Sequence, residues 1–454
     1  MAKTIVILFD GTSNEISADR SNILRLYGCL RRTESQLVYY DPGVGTFGAD
    51  NAWSKLWRKT VEVWGLATGW GLDQNVKEAY RFLVENYQPG ARDKSGKRLE
   101  EDDRIFIFGF SRGAYTARVL AGFIHALGIV KPYQLNLVDY AYRTYKAISD
   151  SETTAVTEIS AEEEKGGEAP PPSAFATMRL YERTLKPYRP AIKCLGLFDT
   201  VASVIEMGKY FPRLKTHPFT DRNRSVEYVR HALAIDERRT MFNPQPWPAG
   251  EPYWGGPFRP RDEKKVHLQN VEEVWFAGVH ADIGGGYPED ESGLAKLPLL
   301  WMIEETKPLG LDYATRTVNE IVRGKRGKYI EPNPLAARHN SMRRLWPAVE
   351  FLPRRMPKTS WRGGPSLFGW YFPWFDRRRI EDGATLHTSV IERMNGIPVD
   401  GPYMPPNLPE TYRTAPPSLP KKKMPAPSLD IATVKQKQAK ARSAAKAQEP
   451  PGQT

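Results

Sequence analysis

Cysteine is nearly missing from this 454-residue chain, which holds only Cys29 and Cys194. Two thiols so far apart form neither a disulfide framework nor a zinc site. They are expected to be buried thiols, and no metal is expected. Long apolar runs are missing as well. No stretch approaches the ~18 apolar residues of a membrane-spanning helix, and MAKTIVILFDGT at the N-terminus has only five apolar residues in a row before Asp10. That is too short for the apolar region of a secretory signal, so the expectation is a protein made in the cytoplasm that leaves, if it does, without a Sec-type signal. An excess of positive charge is scarcer than the net +12 suggests. Residues 421–454 contain eight Lys or Arg against two acids, which leaves an ordinary balance elsewhere. No nucleic-acid motif accompanies it, so nucleic acid is not an expected partner.

What is present is a chain with 40% hydrophobic residues, enough for a large core, and 12 Trp within an aromatic share of 11%. The aromatic content hints at surfaces for apolar ligands or lipid. KTIVILFD is a short continuous apolar run, the mark of a buried parallel strand. RSNILRLYGCLRR then has helical spacing, QLVYYDPGVGT reads as a strand ending in a Gly/Pro loop, and GLDQNVKEAYRFLVENY reads as a helix. DRIFIFGF is a third strand, followed by the helical RGAYTARVLAGFIHALG. This alternation predicts a doubly wound, mostly parallel α/β sheet with helical insertions. Two further strands are expected at AIKCLGLFDT and VEEVWFAGVH. Residues 1–400 are expected to form this domain. Residues 151–173, acidic and Pro-rich, are expected to be a mobile insertion, and residues 403–454, Pro-rich and then basic, a disordered tail.

The segment IFIFGFSRGAYTARVL places Ser111 in the chain's only Gly-x-Ser-x-Gly. A serine hydroxyl needs a base and an exposed position to act as a nucleophile. A turn from strand to helix with flanking glycines lifts it above the sheet edge, and here Gly109 closes a strand and Gly113 opens a helix. Ser111 is the candidate nucleophile, against the plainer reading of a helix-capping serine. The helix N-terminus offers free N–H groups for an oxyanion. Arg112 would supply one donor, and Gly11 or Thr12, in the loop after the first strand, the other.

Seven histidines compete for the role of base. His125 lies on the apolar side of a helix, and His217, His267 and His339 sit in irregular polar stretches. His231 is read in a helix and His387 just before one. His280 ends an apolar strand and is followed by ADIGGGY, whose glycines let backbone approach a cavity. It is the favoured base. Asp199, at the end of LGLFDTV, is the favoured acid, with Asp282 as its rival. Asp10, Asp282, Gly284 and Gly285 are expected to support the loops. The order Ser111, Asp199, His280 is that of α/β-hydrolases, and the chemistry would run through an acyl-enzyme.

Five stretches, ILFDGTSNE, YYDPGVGT, GFSRGAYTAR, LGLFDTVAS and VWFAGVHADIGGGY, resemble a bacterial and fungal α/β-hydrolase domain family of uncharacterised function. That family includes phospholipase effectors of the type VI secretion system. The resemblance spans about residues 1–394 and implies Ser111 as nucleophile, Asp199 as acid and His280 as base, with no cofactor. Two features depart from the usual hydrolase plan: the acid follows the strand next after the nucleophile strand, and the chain begins at what would be the third strand.

On substrate, residues 360–379 set Trp361, Phe368, Trp370, Tyr371, Phe372, Trp374 and Phe375 between arginines, the composition of a membrane-interface anchor. The same aromatics could instead cover the core or a partner. Three functions follow: a phospholipase, as an antibacterial effector delivered by type VI secretion into a target cell's periplasm; a soluble esterase or thioesterase; or a silent hydrolase fold used for binding. The first would bring an immunity protein and a delivery protein as partners.

Overall fold

The central strands of the main sheet, TIVILF, RIFIFGF and IKCLGLF, are short, mostly apolar and almost wholly buried runs, as a sheet covered on both faces requires. The computed structural model describes residues 2–11, 20–43, 70–94, 99–148, 174–201, 205–207, 212–214, 217–257, 266–342, 346–351, 354–355, 370–373 and 376–415. In chain order the sheet strands are β1 (Thr4–Phe9), β2 (Gln36–Asp41), β3 (Arg104–Phe110), β4 (Ile192–Phe198), β5 (Val226–Ala234), β6 (Asn270–Phe276), β7 (Ala384–His387) and β8 (Tyr412–Ala415). They lie in the order β2-β1-β3-β4-β5-β6-β7-β8, and every pair is parallel. The principal helices are α1 (Asn22–Cys29), α2 (Trp70–Asn86), α3 (Arg112–Leu127), α4 (Val138–Ala147), α5 (Ala174–Leu185), α6 (His280–Gly284), α7 (Lys296–Thr306) and α8 (Thr388–Asn395).

The two-residue period of a strand divides the core. Ile5, Ile7 and Phe9 of β1 join Ile105 and Ile107 of β3 under α2, α3, α4 and α5. Val6 and Leu8 face the other way and pack with Phe106, Phe108, α1 and α7. A third cluster closes the β7 end, where Leu386, Val390 and Tyr403 meet Leu233 and Trp275. The chain first winds from β1 to β2, then crosses back over β1 to β3 and continues in the opposite direction. The strand order therefore reverses beside β1 and β3, the place where open α/β sheets form their binding crevice.

Register fixes what meets at that edge. Phe9 pairs with Gly109, Phe110 with Phe198, Phe198 with Ala232, and Ala234 with Phe276. Asp10, Ser111 and Asp199, each one residue past its strand, are thereby brought to one rim, and the loop after β6 reaches it as well.

Three sequence expectations change. His231 lies in β5, not in a helix, because VEYVRHALA is buried on both faces and so lacks the alternation that marks a strand. β6 stops at Phe276, so His280 opens α6 and does not end a strand. The expected tail boundary at 403 also moves. Tyr403 is buried and donates to Asp236 Oδ2 at 2.8 Å, Asn407 bonds the carbonyls of Ile235 and Arg378, and residues 412–415 form the edge strand β8. The prolines here punctuate an extended, packed segment, a conformation they favour. The expected insertion at 151–173 and the basic residues 421–454 lie outside the described residues.

Ending the chain at residue 402 removes Tyr403 from the third core cluster and strips β7 of its outer neighbour. The melting temperature of that shortened protein should fall by several degrees or more, and an unchanged melting curve would remove 403–415 from the fold's cooperative unit.

Candidate active site

The site begins with a strained turn. Ser111 has φ 58° and ψ −122°, a region that costs a non-glycine residue about 1–3 kcal/mol. The flanking glycines permit it. A β-carbon at Gly113 would collide with the carbonyls of Phe9 and Asp10, and one at Gly109 with the first turn of α3. Although Ser111 stands at the N-cap of α3, its side chain makes no capping bond. Its Oγ lies 2.8 Å from His280 Nε2.

His280 Nδ1 lies 2.5 Å from Asp199 Oδ2. A carboxylate can only accept, so Nδ1 carries the proton, and Nε2 is left to accept the Ser111 hydroxyl. The ring is flanked by Phe110 and Phe242, each with its centroid 4.8 Å away, and its backbone N–H donates to Glu237 Oε2 at 3.1 Å. Burial pushes the imidazole's pKa down, and the attraction of Asp199 only partly restores it. Burial thus favours the neutral ring, the state a base needs.

Asp199 is fully buried at a second left-handed backbone position, φ 42°. Its Oδ1 accepts from the N–H of Ala234 at 3.0 Å and from Arg378 Nη1 at 2.5 Å, and its Oδ2 accepts from Arg378 Nη2 at 3.0 Å besides His280. Burial alone would raise this carboxyl's pKa. The Arg378 guanidinium and His280 outweigh it and hold the group well below the usual carboxylate range.

The rival acid, Asp282, faces another histidine. Its Oδ1 is 2.6 Å from His339 Nδ1, and its Oδ2 accepts the N–H of Val279 at 3.0 Å, which ties down the loop carrying His280. Gly284 lets that loop lie against the Phe110 ring, and Gly285, at φ 80°, bridges to Ser21 beside α1. Asn22 of α1 donates to the carbonyls of Ile283 and Ala295, both at 2.7 Å. Asp10 accepts from Tyr40 at 2.9 Å and from the Ser21 hydroxyl, and so holds the turn after β1. The N–H of Gly11 donates to Asp10 Oδ1 at 2.6 Å. Arg112 opens α3 directly after Ser111. Thr12 lies outside the described residues.

Other histidines have structural partners. His231 accepts the N–H of Thr200 and meets Glu273, His387 caps α8, and His125 meets Ser225. Two neighbours of the site escaped the sequence reading. Glu237 follows β5 in a polar AIDERR turn with nothing to set it apart. Arg378 stands in an arginine triplet at the end of the segment with the composition of a membrane-interface anchor, and Arg377 and Arg379 are exposed while Arg378 is buried. Of the aromatic segment around it, Trp370 and Phe372 are exposed and Tyr371 is buried; Trp361, Phe368, Trp374 and Phe375 lie outside the described residues. Among the described residues, no helix is long and apolar enough to cross a membrane, and no group of three or more His, Cys, Asp or Glu could hold a metal ion.

The sequence model of the T6SS phospholipase effector Tle1-like catalytic domain matches residues 3–305. The chain belongs to this family. The match to the Tle1-like domain takes in Ser111, Asp199 and His280 and stops short of β7, β8 and Arg378. An uncharacterized protein of Saccharomyces cerevisiae is 33% identical over 250 residues, which cover 53% of this chain and 32% of the yeast protein. Two solved structures also align. An uncharacterized protein from Pseudomonas aeruginosa does so at 18% identity and a TM-score of 0.37, covering 69% of this chain and 46% of that one. The Tle1 effector bound to the VgrG spike from the type VI secretion system does so at 20% identity and a TM-score of 0.29, covering 64% and 52%. The chain thus spans about a third of the yeast relative and about half of each solved chain.

The contact between Asp282 and His339 gives the site's loop a pH dependence in stability. His339 Nε2 also lies 2.9 Å from Glu291 Oε2, and the ring stacks on Tyr287. Burial opposes the charged ring, but the two carboxylates outweigh it and raise its pKa. A pKa raised by folding gives stability that is complete below the unfolded value and fades as pH rises through the folded one. His339→Gln should therefore lower the melting temperature more at about pH 5.5 than at about pH 9; equal losses at both would show that the charged pair contributes nothing.

Proposed function

We propose that this Tle1-like domain is a serine hydrolase that cleaves acyl esters of phospholipids through an acyl-enzyme. The observation that carries the reading is the hydrogen-bonded series Ser111–His280–Asp199 at the rim of the parallel sheet. Ser111 Oγ would attack the acyl carbonyl while His280 Nε2 takes its proton, with Asp199 holding the tautomer and stabilising the imidazolium. Charge on the carbonyl oxygen would be met by the Arg112 N–H and by a second N–H from the loop after β1, for which Gly11 and Thr12 are the candidates. His280 would then return the proton to the departing alcohol. Water, activated by the same histidine, would release the fatty acid.

Phospholipid is favoured over a small soluble ester by the family's name and by Trp370 and Phe372, large aromatics left exposed on the segment that ends at buried Arg378. Aromatic rings of this kind settle at the headgroup level of a bilayer. In the effector setting that the family name carries, the protein would be made in the cytoplasm and delivered by type VI secretion into a target cell's periplasm, with a delivery protein and an immunity protein as partners.

Fluorophosphonate should label the wild type and not Ser111→Ala, and the wild type should release fatty acid from phospholipid vesicles. Labelling without release would shift the substrate to soluble esters or thioesters, and a wild type that does not label would point to a silent fold. Asp199→Asn should lower kcat by on the order of 10⁴-fold, whereas Asp282→Asn should leave far more activity. The reverse ranking would exchange their roles.

A further inference from the structure

We propose that Arg378 is a positioning residue for the hydrolytic site: it fixes the Asp199 carboxylate that orients His280 and offsets the negative charge that His280 would otherwise face. The inference rests on the reading of Ser111, His280 and Asp199 given above. It concerns a part of the chain beyond the residues matched to the family, 3–305.

The geometry is specific. Arg378 Nη1 bonds Asp199 Oδ1 and the Ala234 carbonyl at 3.0 Å, while Nη2 bonds Asp199 Oδ2 and the Phe242 carbonyl at 2.5 Å. One planar fork thus spans both carboxylate oxygens and ties them to the end of β5 and to the turn bearing Phe242, a ring that packs on His280. Only a guanidinium can do this, since an ammonium is a point charge without the fork. Of three consecutive arginines, the middle one alone is withdrawn from water. Such withdrawal is costly unless the charge is paired and hydrogen-bonded.

The electrostatic consequence falls on His280. A fully buried carboxylate without a cation draws a proton onto the imidazole beside it, and a protonated His280 cannot accept the Ser111 proton. The Arg378 guanidinium, bonded to both oxygens of that carboxylate, answers its charge, so the imidazole is left free to cycle. Other ionisable groups face the pair. Glu237 accepts the backbone N–H of His280, Arg239 is bonded to Glu237, and His231 faces Asp199 from β5. Glu237 and Arg239 largely answer each other, which leaves Arg378 as the guanidinium bonded to Asp199.

The test follows hydrolysis of a soluble p-nitrophenyl ester as a function of pH in the 454-residue wild type, Arg378→Gln, Arg378→Lys and Ser111→Ala, with fluorophosphonate labelling in parallel. Arg378→Gln should move the midpoint of the acid limb up by about one pH unit or more and lower kcat at neutral pH by about 10- to 100-fold with little change in KM. Arg378→Lys should return the midpoint towards the wild-type value while kcat remains reduced. A folded Arg378→Gln with an unmoved midpoint overturns the assignment. Should that variant not fold, Arg378→Lys decides the matter: a kcat equal to that of the wild type overturns the role of the fork. Activity and labelling that survive in Ser111→Ala would sink the underlying reading of the site. Their loss in Ser111→Ala beside an unmoved Arg378→Gln sinks only the role given to Arg378.

Discussion

A carboxylate with no access to water must be answered by charge and hydrogen bonds, and in this protein Asp199 is that carboxylate. Its two oxygens gather a backbone N–H, an imidazole and both ends of a guanidinium. Breaking a buried pair by removing one partner costs about 3–5 kcal/mol in general, so the elements that supply these groups are bound to one another. β4 ends at the acid, β5 supplies the N–H, the loop after β6 supplies the histidine, and the approach to β7 supplies the arginine. The sheet's parallel register makes this possible because all of its strands run out at the same rim.

The second constraint is backbone strain. Ser111 and Asp199 both occupy left-handed conformations without being glycine. Such conformations persist only where the surroundings over-determine them. For Ser111, the close approach of α3 to β1 leaves no room for the chain to relax. For Asp199, the hydrogen bonds just described hold the carboxylate in place. Two strained residues facing one histidine are in keeping with the role proposed for them.

Much of this arrangement is legible in the sequence because it depends on local signals. Gly-x-Ser-x-Gly between an apolar run and a helical pattern marks the turn at Ser111, and apolar runs followed at once by Asp199 or shortly by His280 mark chain leaving the sheet rim. What stayed hidden depends on packing between distant segments. β5 reads as a helix because a strand buried on both faces shows no alternation, and β8 is only four residues long and follows four prolines. That the amide of Gly11 donates to Asp10 shows only in the folded turn. Arg378 is chemically identical to its two neighbours, so nothing short of the tertiary structure could reveal which of the three turns inward.

The separation of Asp199 and Arg378 along the chain, 179 residues, sets an order of events during synthesis. A nascent chain that has left the ribosome as far as α6 already carries the serine, the acid and the histidine. It still lacks the cation that makes the buried carboxylate tolerable, and it lacks the last two strands. The rim therefore cannot settle into its final form until β7 and β8 have been made. The rim is thus completed from beyond the residues matched to the family, well after its serine, acid and histidine have emerged.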